Sequence, residues 1–231
     1  MKTLLGIFTC HKYQYCDPNS LIKDWFTRPV VNRVAAVRDT WLKDVTYDYK
    51  FFYGKTKAPR QPLPDEVFLD APDDYLHSTD KLRALVRYAL DNGYDQLLKI
   101  DDDVFVYWDR LLANAPTNDY HGGGPFGGQP FGSYCSGAIY WLSRRAMEIV
   151  VSAPVVSWAE DRHVGEVMKR AGMNPTFDFR YYIAPPTKRN QYISDEALAQ
   201  PNDYITIHAL HPDQMRRLYS HELITREREG A

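Results

Sequence analysis

The sequence predicts an α/β fold with a mostly parallel sheet flanked by helices, and three observations carry that prediction. Apolar runs of strand length recur at Leu4 to Thr9, Tyr49 to Tyr53, Val67 to Leu69, Leu97 to Ile100, Val104 to Val106 and Ala138 to Leu142. Segments of helical periodicity lie between them, and strands that alternate with helices build a largely parallel sheet. Three consecutive aspartates, Asp101, Asp102 and Asp103, stand directly after one of the runs, at the carboxyl end of a strand, where sheets of this class hold ligands.

Each element has its own local reason. The run after Met1-Lys2-Thr3 begins like a secretory leader but stops at Thr9-Cys10-His11, too short for a leader or a membrane span, so it is read as a first buried strand. Thr79-Asp80 opens a helix with Leu82, Leu85, Val86 and Leu90 on one face, and Asn92-Gly93 stops it. Two more amphipathic helices are expected, from Ser143 to Ser152 and from Ala159 to Ala171, the second closed by Gly172. Loops rich in Gly and Pro at Ala58 to Pro64 and Gly122 to Gly132, and the aperiodic stretch Tyr181 to Asp203, are candidate lids or acceptor loops. No repeat and no linker divides the chain, so residues 1–231 are read as one domain.

The 231 residues, 44% hydrophobic and 25% charged, suffice for a full core and argue against disorder. A net charge of -2 and a pI near 6.4 give no global field toward nucleic acid or an anionic membrane. No stretch is long and apolar enough to cross a bilayer. Three cysteines, Cys10, Cys16 and Cys135, cannot all pair within the chain and show no CxxC spacing, which fits a reducing cytosol.

The triplet needs a compensating partner, because carboxylates crowded at the end of a buried strand repel each other and lose hydration. A solvated acidic turn would avoid the problem; otherwise a hard divalent cation is the simplest partner. If that cation also holds a diphosphate, the triplet becomes the centre of a nucleotide-sugar site.

Five segments together resemble the inverting beta-1,3-glycosyltransferase family of the fringe, T-synthase and galactosyltransferase type. Val34-Ala35-Ala36-Val37-Arg38-Asp39-Thr40-Trp41 is similar to its arginine helix ending in R-x-T-W. Lys99 to Val106 is close to K-x-D-D-D-x-F-V, and Tyr134-Cys135-Ser136-Gly137-Ala138 running on to Leu142-Ser143 resembles Y-C-S-G-x with its following strand and L-S. Glu160-Asp161-Arg162-His163-Val164-Gly165 matches E-D-x-x-V-G, and His208 to Met215 looks like H-x-x-x-P-x-x-M. The elements keep their order and spacing, which is the context a motif needs.

The resemblance implies a GT-A-type nucleotide-sugar-binding fold and a metal-dependent transfer from a UDP-sugar to an acceptor hydroxyl. A divalent cation, Mn2+ or Mg2+, would neutralise the departing phosphate. Asp103 is expected as direct ligand and His208 as a neutral imidazole ligand, with His211 its rival; Asp101 would act through water or hold the donor's ribose, and Asp102 would orient donor or backbone. Asp161, at a helix start, is expected as general base, with Glu160 tuning it. Arg38 is expected at the diphosphate or at a site carboxylate, unless it forms a helix-surface salt bridge. Ser136 and Gly137 would let backbone approach a substrate closely. Thr9, Cys10 and His11 would contact the base through their backbone. Trp41 reads as core, and Cys135 as a buried thiol where secreted members of the family form a disulfide. His11, His77, His121, His163 and His221 otherwise read as surface or capping residues.

The chain departs from the animal members in having neither membrane anchor nor stem, nor most of the extracellular cysteines. A cytoplasmic protein of a bacterium or of a virus-infected cell is therefore expected. The acceptor is expected to be a glycan, glycolipid or glycoprotein. A hydroxymethylated base in DNA is the alternative, motivated by Lys169, Arg170, Arg180, Tyr181, Tyr182, Lys188, Arg189, Arg216 and Arg217. A binding protein without turnover and a metal phosphohydrolase remain as other classes, while the sugar, the linkage and the oligomeric state are not encoded in these motifs.

Overall fold

A computed structural model describes residues 1–11, 32–55, 60–126, 133–182, 198 and 203–229. The expected lid segments at 58–64, 122–132 and 181–203 fall partly outside these residues, as do Cys16, Lys188 and Arg189.

The main sheet follows from period-two alternation. Strand β1 (Thr3–Phe8) sends Leu5 and Ile7 to one face and Leu4 to the other, and it lies between β2 (Asp48–Lys55) and β4 (Gln96–Asp101), parallel to both. Outside β2 runs β3 (Glu66–Pro72), also parallel. Beyond β4 come β7 (Ile139–Ser143), then β6 (Tyr120–Gly122) and β8 (Thr176–Phe177), completing the order β3-β2-β1-β4-β7-β6-β8. The sheet is mostly parallel, as expected, with β7 antiparallel to both of its neighbours. That reversal places the residues just before Ile139 beside the carboxyl end of β4, since Ile139 pairs with Ile100.

Helices cover both faces. On one face, α2 (Ser78–Asp91), α4 (Arg144–Ser152) and α5 (Glu160–Arg170) pack Leu82, Leu85, Met147, Val150, Val164 and Met168 against Leu4, Phe52 and Leu97. These are the three helices expected from periodicity; Ser143 caps α4 by accepting from the Ala146 N–H at 3.2 Å. On the other face, α1 (Arg33–Asp39), α3 (Trp108–Ala113) and α6 (Pro212–Glu229) enclose Val37, Trp41, Trp108 and Met215 over Leu5, Ile7 and Leu98.

A second sheet of three short strands, β5 (Phe105–Val106), β10 (Thr206–Ile207) and β9 (Tyr181–Tyr182), decides where the C-terminal histidine goes. Ile207 pairs antiparallel with Phe105, so His208 continues toward the aspartates that precede β5. Among the described residues no helix is long and apolar enough to cross a membrane.

Candidate active site

The triplet leaves β4 as a tight turn whose backbone is pinned on several sides. The Asp101 N–H donates to the Ala138 carbonyl at 2.9 Å, the Trp41 indole N–H to the Val104 carbonyl at 3.0 Å, and the Leu210 N–H to the Asp103 carbonyl at 3.0 Å. Trp41 is thus the core residue expected, with its polar edge satisfied. The Leu210 bond holds the His208 loop on the triplet, and Ala209 takes φ 66 there, a backbone shape that alanine rarely adopts.

Asp101, Asp103 and His208 consequently converge, each offering one ligand atom with all such atoms within 4.8 Å of one another. His208 Nε2 lies 3.5 Å from Asp103 Oδ1. His211 instead serves the start of α6, where its Nδ1 accepts from the Asp213 N–H at 3.2 Å. Asp102 turns away to a structural role, with Oδ2 accepting from the Thr9 hydroxyl at 2.5 Å and Oδ1 from Arg33 at 3.3 Å.

Arg33 is the residue the sequence did not disclose. Its guanidinium bridges Asp102 and Asp103, both at 3.3 Å, and supplies positive charge to the triplet from within the protein. Arg38 projects elsewhere, because five residues along a helix turn a side chain by about 140°. It forks onto Asp65 at 2.9 Å and reaches Glu66 at 3.0 Å, away from the aspartates. The arginine that meets the carboxylates of the triplet is Arg33, while Arg38 forms the salt bridge that was its alternative.

Lys99 has the same facing on β4 as Asp101 and is 1% exposed. It bonds Asp101 at 2.6 Å, Glu160 at 2.9 Å and the Gly137 carbonyl, tying the triplet to the start of α5. Burial pushes the Asp101 carboxyl up to about 8; Lys99 opposes that rise and Asp103 adds to it.

At the first turn of α5, Asp161 accepts from the Gly137 N–H at 3.1 Å and from the Arg162 N–H at 2.7 Å. Burial, then the neighbouring Glu160 charge, raises it to about 7 despite those bonds. Gly137 approaches these carboxylates so closely that a Cβ there would lie 2.8 Å from Glu160 Oε1 and 3.3 Å from Asp161 Oδ2. The glycine thus makes room for the acidic pair, and Ser136 is spent on the turn, its hydroxyl accepting from the Ala138 N–H at 3.3 Å.

At the ends of β1 and β2 the backbone expected to meet a base has partners within the protein. The His11 N–H donates to Asp73 at 2.6 Å, and Lys81 donates to the Thr9 carbonyl and to Asp73 at 2.7 Å. The side chains there form an aromatic cluster: the His11 ring stacks on Tyr53 at 4.5 Å and meets the Phe68 edge at 4.8 Å. Burial pushes the Cys10 thiol up to about 12, and Cys135 is fully buried and unbridged. His77 lies at the surface as expected, its N–H donating to the capping Asp74 carboxylate at 3.0 Å, whereas His121 and His163 are buried, at 8% and 0% exposure.

No protein-family profile matches the sequence. Among solved structures, a glycosyltransferase involved in glycosylation of the major capsid of PBCV-1 aligns at a TM-score of 0.51 and 12% identity, over 96% of this chain and 100% of that one. This chain shares that fold. A protein of Desulfovibrio desulfuricans G20 described as a nucleotide-diphospho-sugar transferase aligns at a TM-score of 0.49 and 13% identity, over 77% of this chain and 80% of that one.

Proposed function

We propose that the protein is a metal-dependent inverting glycosyltransferase that moves a sugar from a UDP-sugar to the hydroxyl of a glycan acceptor. The observation that carries the reading is the convergence of Asp101, Asp103 and His208 beside Asp161, from segments far apart in the chain, at the carboxyl edge of the sheet. The fold shared with a glycosyltransferase agrees with it.

Two carboxylates and an imidazole suit Mn2+, with Mg2+ the other candidate, and such a cation when bound stabilises charge on the departing diphosphate. Asp103 and His208 would hold the cation directly. Asp101 would complete its shell, and Lys99 and Arg33 fix the carboxylates in place. His11, Tyr53 and Phe68 would flank the base. Asp161 would take the proton of the acceptor hydroxyl as that oxygen bonds the anomeric carbon and the bond to the diphosphate breaks, its electron pair leaving with the phosphate. Attack opposite the leaving group inverts the anomeric centre. A carboxylate raised to about 7 is a stronger base than an ordinary aspartate while about half of it is still ionised at neutral pH.

Three of the basic residues that motivated a DNA acceptor have acidic partners within the protein. Arg170 pairs with Glu166, Arg180 with Asp178, and Arg216 with Asp39 and Asp213. A glycan acceptor, a domain spanning 1–231 and a cytoplasmic setting belong to this proposal.

The decisive experiment screens UDP-sugars with Mn2+ for binding and transfer, with Asp161→Asn beside the natural chain. Transfer is expected to fall by about a hundredfold to ten-thousandfold in the variant while nucleotide and Mn2+ binding persist. Undiminished transfer would remove Asp161 from the mechanism, and failure of every nucleotide to bind would overturn the reading.

A further inference from the structure

We infer that Trp158 and Tyr75 form an aromatic platform that binds a pyranose ring of the acceptor next to Asp161, an inference that rests on the glycosyltransferase reading and gives it an acceptor subsite. The two rings stand at 5.1 Å with a 58° tilt, making one shallow angled wall from two distant segments. Both are open to solvent, Trp158 at 44% and Tyr75 at 38%, whereas Trp41, Trp108 and Trp141 are at most 2% exposed. An open indole needs a reason when those three are buried so completely.

The backbone beneath the platform is held firmly. The Trp158 carbonyl accepts from the Thr79 N–H at 3.2 Å, the Ser78 hydroxyl at 2.7 Å and the Thr79 hydroxyl at 3.0 Å, so the start of α2 locks the loop while the indole stays out. Rigid anchoring of an exposed aromatic lowers the entropy lost when a ligand binds.

Position supplies the link to chemistry. Trp158 precedes Asp161 by three residues, and the Tyr75 hydroxyl is pushed up by burial and then by the carboxylates of Glu160, Asp161 and Asp101. The platform therefore faces an acidic rim. A sugar uses both parts: its C–H face lies on the rings and its hydroxyls donate to carboxylates. A nucleobase could also stack, but its phosphates would meet the same negative rim.

The test labels the full chain with 5-fluorotryptophan and follows the Trp158 fluorine resonance, assigned with Trp158→Phe. Two probes are titrated: a panel of methyl pyranosides, and a single-stranded oligonucleotide carrying hydroxymethylcytosine. A saturable shift with a pyranoside and none with the oligonucleotide is expected. A shift with the oligonucleotide alone, or with neither probe, overturns the platform. UDP binding in the presence of Mn2+, measured on the same sample by calorimetry, reports separately on the glycosyltransferase reading. Once an acceptor is in hand, Trp158→Ala should raise its KM about tenfold and Trp158→Phe should restore most of that loss. An equal KM in all three proteins would count against the platform.

Discussion

At the scale of single residues, the candidate site holds two carboxylates, Asp101 and Asp161, that their surroundings raise. Asp161 accepts two backbone hydrogen bonds that favour its charge, yet burial and Glu160 outweigh them and raise it to about 7. A base must be ionised to accept a proton. The transfer rate under saturating donor should therefore fall as pH drops through about 7, and a pH profile measured between 5 and 9 (range chosen as roughly two units either side) checks it. Asp101, raised to about 8, must lose a proton before it can serve a cation. Mn2+ affinity should accordingly weaken by up to about tenfold for each unit of pH below 8, as titration calorimetry at several pH values would show.

At the scale of elements, α5 carries the proposed base, and its seat is set by a glycine about one turn later. Gly165 packs against Tyr134, where an added Cβ would lie 2.2 Å from the Tyr134 Cβ. Alanine is the better helix former by up to about 1 kcal/mol, but here the clash wins. Gly165→Ala should destabilise the fold by about 1–3 kcal/mol in urea unfolding, and it should reduce transfer more than nucleotide binding, because α5 carries the proposed base Asp161 and none of the proposed cation ligands. The other elements that shape the site do so by their ends. Strand β4 delivers the triplet, β7 delivers Gly137 because it runs antiparallel, and β10 delivers His208 because it pairs with β5.

For the whole molecule, the raised carboxylates have a thermodynamic consequence. Folding lifts Asp101 and Asp161 from an ordinary 3.8 to about 8 and about 7, so the folded state binds protons that the unfolded state has released. Their contribution is fully present below about pH 4 and is lost as pH rises through 7 to 8. Glu66 acts in the opposite sense: burial resists its ionisation, but hydrogen bonds from Arg60, the Leu63 N–H and Arg38 prevail and lower it to about 2. Its contribution is present above about pH 4.5 and lost as pH falls toward 2. In metal-free protein, the stability lost between pH 5 and pH 8 should shrink in Asp161→Asn, and Mn2+ should offset part of the loss in the natural chain. Denaturant midpoints at the two pH values, with and without Mn2+, measure both effects.

What the sequence determined by itself is whatever a local pattern encodes. Alternating apolar runs placed Leu4 to Thr9 and Leu97 to Ile100 in buried strands, and apolar spacing with caps placed the three helices over 78–91, 144–152 and 160–170 within a residue or two. The aspartates fell at a strand end and Asp161 at a helix start for the same reason. The tertiary structure decided which distant groups meet. Arg33 and Arg38 look alike in sequence, and only the packing of α1 sends one to the triplet and the other to Asp65. Lys99 reads as a polar interruption of a strand until Glu160 arrives beside it. His208 gains its place over His211 from one antiparallel register, and the openness of Trp158 emerges only when packing has covered Trp41, Trp108 and Trp141. Periodicity fixes the face a side chain presents, but which face meets which is set by long-range packing that no local window contains.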